Sequence, residues 1–192
     1  MSLSIALMVE GHGEVQAAPL LLRRIFQEVY ESFAVSIEKP FRVPGSKICN
    51  RSNDFRRAMQ FLGMKNPDAI FIIFDSDDDC PVSIAQDVRA AAQAEVVDTP
   101  IFVVAAQREY EAWLLAGSAE LEIVDKVAYE KLPSSLESVR NPKLLLKKVL
   151  ASGTYSETVD QSRLTGRFDL ELARSLSTSF DKLVRDLGKI LG

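Results

Sequence analysis

Three short acidic stretches follow apolar runs in this sequence: "VEGHGE" at 9–14, "FDSDDD" at 74–79 and "REYE" at 108–111. They place Glu10, Glu14, Asp75, Asp77, Asp78, Asp79, Glu109 and Glu111 as candidate functional carboxylates. Two carboxylates about 4 Å apart repel by about 4 kcal/mol at an effective dielectric near 20. A cluster of three or more therefore calls for protons or a cation. An oxygen-only set poor in histidine suits a hard ion, magnesium or manganese, as one or two ions held partly through water and substrate phosphates. Asp75 and Asp77 are two residues apart, so an extended backbone sends both side chains to one side, where they can share an ion. Asp79 continues that side and Asp78 points away from it. Taken singly, each acid is also a good helix cap or a solvated loop residue. Their recurrence at the ends of separate apolar runs is what argues for one site.

Gly11 and Gly13 flank His12, the single histidine. The spacing is not a P-loop, and a dinucleotide fingerprint fails at Gln16. His12 reads as a loop residue with local hydrogen bonds. Cys49 and Cys80 lack metal-site spacing and read as small packed residues.

The elements that must carry these acids are legible from periodicity. Residues 3–9, the run "NPDAIFIIFD" and "TPIFVVAAQ" read as buried strands, and "AVSIE" at 34–38 as a further strand. Helices are expected from Glu14 or Ala18 to Tyr30, over "SNDFRRAMQFLG", over 82–97 and over "REYEAWLLAG"; "KPFRVPGSK" reads as a turn-rich loop. Strands alternating with helices predict an α/β fold: a Rossmann-like, largely parallel sheet flanked by helices over residues 1–118. Beyond 118 the amphipathic stretches "NPKLLLKKVLAS", "DLELARSLST" and "SFDKLVRDLGKIL" predict a helical C-terminal extension, 119–192, packed on that domain. In such sheets, functional groups gather at the carboxyl ends of the strands, where all three acidic stretches fall. Trp113, Leu114 and Leu115 read as the core face of the helix that anchors Glu109 or Glu111.

The net charge of −4 argues against indiscriminate coating of nucleic acid, but it conceals an asymmetry. Residues 39–57 hold six Lys/Arg against Asp54 alone, and residues 140–192 hold ten against six acids. A basic strip beside an acidic pocket is the layout a phosphodiester-processing enzyme needs. Lys47, Arg51, Arg56, Arg57, Lys143 and Lys147, with Lys148, are the candidate phosphate contacts. No apolar stretch approaches the ~20 residues of a membrane span. The first residues read as a strand, and a cytoplasmic location is expected.

A strand ending in "VEG", a helix, and a later strand ending in DxD resemble the Toprim domain of topoisomerases, primases and certain nucleases. VEGxxE at 9–14, DxDxD at 75–79 and ExEAW at 109–113, in that order, resemble the nucleases of the overcoming-lysogenization-defect type and small stand-alone bacterial Toprim-like proteins. The tail "YSETVDQSRLTGRFDLELARSLSTSF" at 155–180 is similar to one uncharacterised family of that group. The resemblance implies a Toprim-like fold, Glu10 as acid/base or metal ligand, and Asp75 and Asp77 holding the catalytic ion. Glu14, Asp79, Glu109 and Glu111 would then be ligands of a second ion or of its surroundings. It further implies a metal-dependent nuclease acting on DNA or RNA in a phage-defence or toxin-like system. The resemblance also implies a separate ATPase partner, and this chain departs from the group in carrying no ATPase of its own; a homo-oligomer is compatible. The competing expectations are a non-catalytic metal- or nucleic-acid-binding subunit and an aspartyl-type phosphatase or phosphotransferase, whose nucleophile also lies in a DxD after a strand.

Overall fold

The computed structural model describes residues 2–192. Five strands form one parallel sheet: β1 (Leu3–Val9), β2 (Val35–Ile37), β3 (Phe41–Arg42), β4 (Ala69–Asp75) and β5 (Ile101–Ala106). The order is β2-β1-β4-β5, with β3 pairing against the last residues of β1. The fold is thus a Rossmann-like α/β fold. Both faces of the sheet are covered, so Ile5–Val9 and Ala69–Phe74 of the central strands are apolar throughout rather than at alternate positions. On one face Ile5, Leu7, Val9, Phe71 and Ile73 join the larger core. On the other Ala6, Met8, Ile70, Ile72 and Phe74 form a smaller core. That second core is closed by α3 (Asn53–Gly63) and α4 (Pro81–Glu95). The helix α3 starts where Ser52 Oγ accepts the Phe55 N–H, a side-chain cap.

The larger core is covered by α1 (Glu14–Arg24), which continues through a π-helical turn at Ile25–Val29, and by α5 (Tyr110–Ala116). The chain after α5 folds into α6 (Lys126–Tyr129), α7 (Pro142–Val149), α8 (Glu157–Thr165), α9 (Leu170–Leu176) and α10 (Thr178–Gly188). Helix α8 packs on α1, α7 and α9 on α5, and α10 along β5. Leu146, Leu164, Phe168, Phe180, Leu183 and Leu187 share one continuous core with Leu21, Phe71 and Trp113. Trp113 is fully buried, edge-on to Phe180, and its indole N–H donates to Ser179 Oγ at 2.8 Å. It is the core residue the helical spacing suggested, and its burial leaves no face for stacking on a base.

Some local expectations change. The turn-rich stretch after Glu38 holds the short strand β3 and the single-turn helix α2 (Gly45–Cys49). Helix α8 was not legible: "ETVDQSRLT" is polar, and only Leu164, Thr165 and Gln161 are buried. Cys80 is exposed at the start of α4 rather than packed, and Cys49 is half-buried.

Candidate acidic site at the strand ends

Register brings the acids together. Val9 pairs with Ile73, and Asp75 with Ala106, so β1, β4 and β5 finish at nearly one level. Glu10 leaves β1 beside the end of β4, and its Oε2 accepts the Asp75 backbone N–H at 3.1 Å. The Glu10 N–H in turn donates to Glu14 Oε2 at 3.2 Å, from the first turn of α1. Asp75 Oδ1 accepts the Tyr110 N–H at 2.8 Å. Asp75 thereby caps α5, whose own N-cap residue, Glu109, makes no side-chain cap. Anions are favoured at such a helix start. Glu111 lies in the same first turn, buried, and accepts the Tyr155 hydroxyl at 2.9 Å.

Two glycines let these groups approach. A Cβ on Gly45 would sit 2.3 Å from Glu10 Oε1, so only a glycine lets the start of α2 close on that carboxylate. A Cβ on Gly13 would sit 2.2 Å from Gln161 Oε1 and 2.4 Å from the Glu157 carbonyl, so Gly13 admits α8 against the start of α1.

Burial decides the electrostatics. Glu14, 4% exposed, is pushed up to about 8, first by burial and then by the charge of Glu10. Asp75 is raised well above the usual carboxylate range, by burial first and then by Glu14, Glu111 and Glu10. Glu111 is raised by burial, against the pull of Lys143 and the Tyr155 hydroxyl. Glu10 is raised by burial too, with Asp77 adding to it. Four crowded carboxyls thus hold protons at pH values where free ones would be ionised. A protein cation approaches them. The Lys143 ammonium, from α7, is 3.9 Å from Glu111 Oε1 and 2.5 Å from Glu157 Oε1.

Asp77 departs from the extended geometry expected of it. Its φ is +48°, so the chain turns sharply after Ser76 and the two-residue alternation with Asp75 is lost. Arg108 opposite is left-handed as well, at φ +70°. Such non-glycine residues cost about 1–3 kcal/mol each and persist only where surroundings hold them. Here the Asp77 N–H donates to the Arg108 carbonyl at 3.1 Å, and the Arg108 N–H to Ser76 Oγ at 3.1 Å. Asp77, Asp78 and Asp79 are exposed. Asp79 closes a turn onto the Ser76 carbonyl, and Asp78 pairs with Arg108 and Arg140. Glu109 Oε2 accepts the Lys143 backbone N–H at 3.3 Å. His12 is exposed in the loop after β1.

Glu10, Glu14, Asp75 and Glu111 therefore meet, Asp77 and Glu109 border them, and Asp79 stands outside. Among the described residues no group of three or more His, Cys, Asp or Glu side chains is arranged to hold a metal ion. The carboxylates of Glu10, Glu14 and Asp75 each accept a backbone N–H, and that of Glu111 a tyrosine hydroxyl. The donor set is still all-oxygen and charge-crowded, which is the chemistry a hard divalent ion relieves.

Of the candidate phosphate contacts, Lys47 pairs with Asp54, Arg51 with Asp87 and Arg56 with Glu95. Lys143 faces the acids, while Lys147 lies on the exposed side of α7. Sequence reading missed Arg108, Arg140 and Tyr155 as neighbours of the site. Arg108 adjoins Glu109, which was a usable signal; Arg140 and Tyr155 arrive only through tertiary packing. Among the described residues no helix is long and apolar enough to cross a membrane.

Fold and site together define an α/β protein with a cluster of crowded, largely buried carboxylates at the carboxyl edge of a parallel sheet. Within that class, residues 9–188 match the family model described as Domain of unknown function (DUF4276), and the chain belongs to that family. No curated protein and no solved structure matches it.

Proposed function

We propose that this protein is a divalent-metal-dependent phosphodiesterase acting on nucleic acid, with magnesium or manganese at the strand-end carboxylates. The observation that carries the reading is the crowding of Glu10, Glu14, Asp75 and Glu111 at the strand ends, where Glu10 accepts the Asp75 N–H and Glu14 the Glu10 N–H, with carboxyl pKa values raised by burial and mutual repulsion. Strained residues at the mouth of the pocket support it, since strain of this kind collects at active sites. So does the likeness of VEGxxE, DxDxD and ExEAW to the Toprim motifs.

Glu10 and Asp75, with Asp77 at the pocket mouth, are the residues that would hold the ion; Glu14, Glu109 and Glu111 would complete its surroundings. When bound, such an ion activates water and stabilises the leaving oxygen. The chain's own part is then specific. Glu10 is positioned by two backbone donors, at Asp75 and Gly45, and can take a proton from the attacking water. Glu14, which holds its proton near neutral pH in the metal-free protein, would give it up if a cation were bound beside it. Lys143 and Tyr155 hold Glu111 and offset part of the crowded negative charge. A phage-defence or toxin-like role, with a separate ATPase as partner, belongs to the same proposal and rests on the motif likeness alone.

A second reading, a non-catalytic nucleic-acid- or metal-binding subunit, is favoured by one observation. The carboxylates of Glu10, Glu14 and Asp75 are already satisfied by backbone N–H groups. The test is incubation of purified protein with labelled DNA and RNA strands and manganese, beside Glu10→Gln and Asp75→Asn. Cleavage by wild type alone supports the enzyme. Metal-independent binding without cleavage supports the second reading.

A further inference from the structure

Beside the crowded carboxylates lies an open cleft of about 260 Å³, lined by Asp77, Asp78, Arg108, Glu109, Arg140 and Asn141. It shares Asp77 and Glu109 with the surroundings of the carboxylates. Its two cations come from separate elements: Arg108 from the loop before α5, and Arg140 from the segment leading into α7. Arg108 is fixed in place. Its backbone N–H is held by Ser76, and its Nη1 donates to the Asp77 carbonyl at 2.9 Å. Both guanidiniums meet on one carboxylate, that of Asp78; Arg140 Nη2 is 3.1 Å from Asp78 Oδ2, and Arg108 Nη1 contacts Oδ1. Asp78 itself sits on an exposed turn, its side chain 66% accessible.

Two guanidiniums converging on one planar anion match the recognition geometry of a phosphate, which presents oxygens in the same fork. Exposed carboxylate–guanidinium pairs are weak and readily exchanged. A nucleic-acid phosphate adds counterion release to its own attraction.

We infer that Arg108 and Arg140 form a phosphate clamp for a nucleic-acid strand, and that Asp78 occupies it in the free protein as a displaceable stand-in. The inference rests on the proposed reading of the neighbouring pocket for the identity of the ligand, but it needs no metal. The clamp seats one backbone phosphate at the pocket mouth, so that an adjacent diester faces Glu10 and Asp75. Asp78 lowers affinity by competing for both arginines and so acts as a built-in brake on binding.

The test is fluorescence anisotropy of labelled single-stranded DNA and RNA with the full chain in EDTA, so that no cleavage intervenes. Arg140 is exposed, so Arg140→Ala leaves the fold intact. It is expected to weaken binding on the order of 3–10-fold and to reduce the salt slope by about one. Asp78→Asn is expected to tighten binding by a similar factor. Asp98→Asn, the same charge change on an exposed acid before β5, at the opposite edge of the sheet, controls for net charge and is expected to tighten it far less. Equal binding by wild type, Arg140→Ala and Asp78→Asn, or no binding by wild type, overturns the clamp. Manganese-dependent cleavage with no effect of either substitution removes the clamp and keeps the hydrolase. Arginine-dependent binding without cleavage keeps the clamp and removes the hydrolase.

Discussion

Two buried glutamates in this molecule behave in opposite ways. Glu14, at the strand-end pocket, is pushed up to about 8. Glu137, 7% exposed beneath the start of α10, ends below the ordinary glutamate value. Burial pushes both up, and the difference lies in what faces them. Glu137 accepts from the hydroxyls of Ser177, Thr178 and Ser179 and from the backbone N–H groups of Thr178 and Ser179. Those donors outweigh its burial and fix it as a charged cap. Glu14 has the Glu10 and Gly11 N–H groups against it and the charges of Glu10 and Glu111 beside it. A carboxylate buried for structure is thus surrounded by donors. One buried among other carboxylates stores unfavourable charge, and that makes it responsive to protons and cations.

This contrast can be broken most decisively at Asp75. Asp75→Asn keeps an acceptor for the Tyr110 N–H but removes the ionisable group. In the proposed enzyme, metal-dependent cleavage falls by at least about 10²-fold, the scale on which a positioned acid or base contributes. The same variant melts higher than wild type without metal at alkaline pH, because repulsion is relieved. A lower melting temperature at every pH would mark Asp75 as a plain helix cap.

Glu137→Ala should do the reverse. It strands a buried ring of hydroxyl and N–H donors and should cost about 2–4 kcal/mol, read by denaturant titration. Metal-induced stabilisation should persist in it, since Glu137 lies outside the acidic pocket.

The pH dependence separates the two glutamates further. A carboxyl whose folded pKa is raised is protonated in both states below about pH 4.5, so it imposes no penalty there. As pH rises toward about 8 the unfolded chain loses the proton first, and folding stability declines. Metal-free wild type should therefore melt lower at about pH 8 than at about pH 5. Glu14→Gln should flatten that decline by on the order of 1–3 kcal/mol while leaving pH 5 stability unchanged. Glu137, lowered instead, contributes stability that is lost only as pH falls through its own depressed value.

Millimolar manganese should raise the melting temperature by a few degrees, more at pH 8 than at pH 6, because binding displaces protons. The smallest effect is expected at the basic strip. Arg56→Ala loses a 3.9 Å contact with Glu95 and should change stability by less than about 0.5 kcal/mol.

The same comparison shows what a sequence reveals. The strands and the α/β order were legible because runs such as "AIFIIF" are apolar at every position, as a sheet covered on both faces requires. Glu10 and Asp75 were legible as neighbours because strand register carries them to one edge, where Glu111 follows in the first turn of α5. Asp77 was misread because its left-handed turn is enforced by Arg108, thirty-one residues on, and nothing in "DSDDD" marks it. Lys143 and Tyr155 reach Glu111, and Gln161 reaches Gly13, only through the packing of α7 and α8, and α8 lacks the apolar stripe that betrays a helix. The donors around Glu137 come from a Ser-Thr-Ser run that reads as an ordinary helix start.

The central claim is that the strand-end carboxylates await a cation. Manganese-soaked crystals, with anomalous diffraction collected near the manganese edge, test it most directly. The account predicts a peak bounded by Glu10, Asp75 and Asp77, lost in Asp75→Asn crystals. No peak there, or manganese held only by the exposed Asp78 and Asp79, would contradict it.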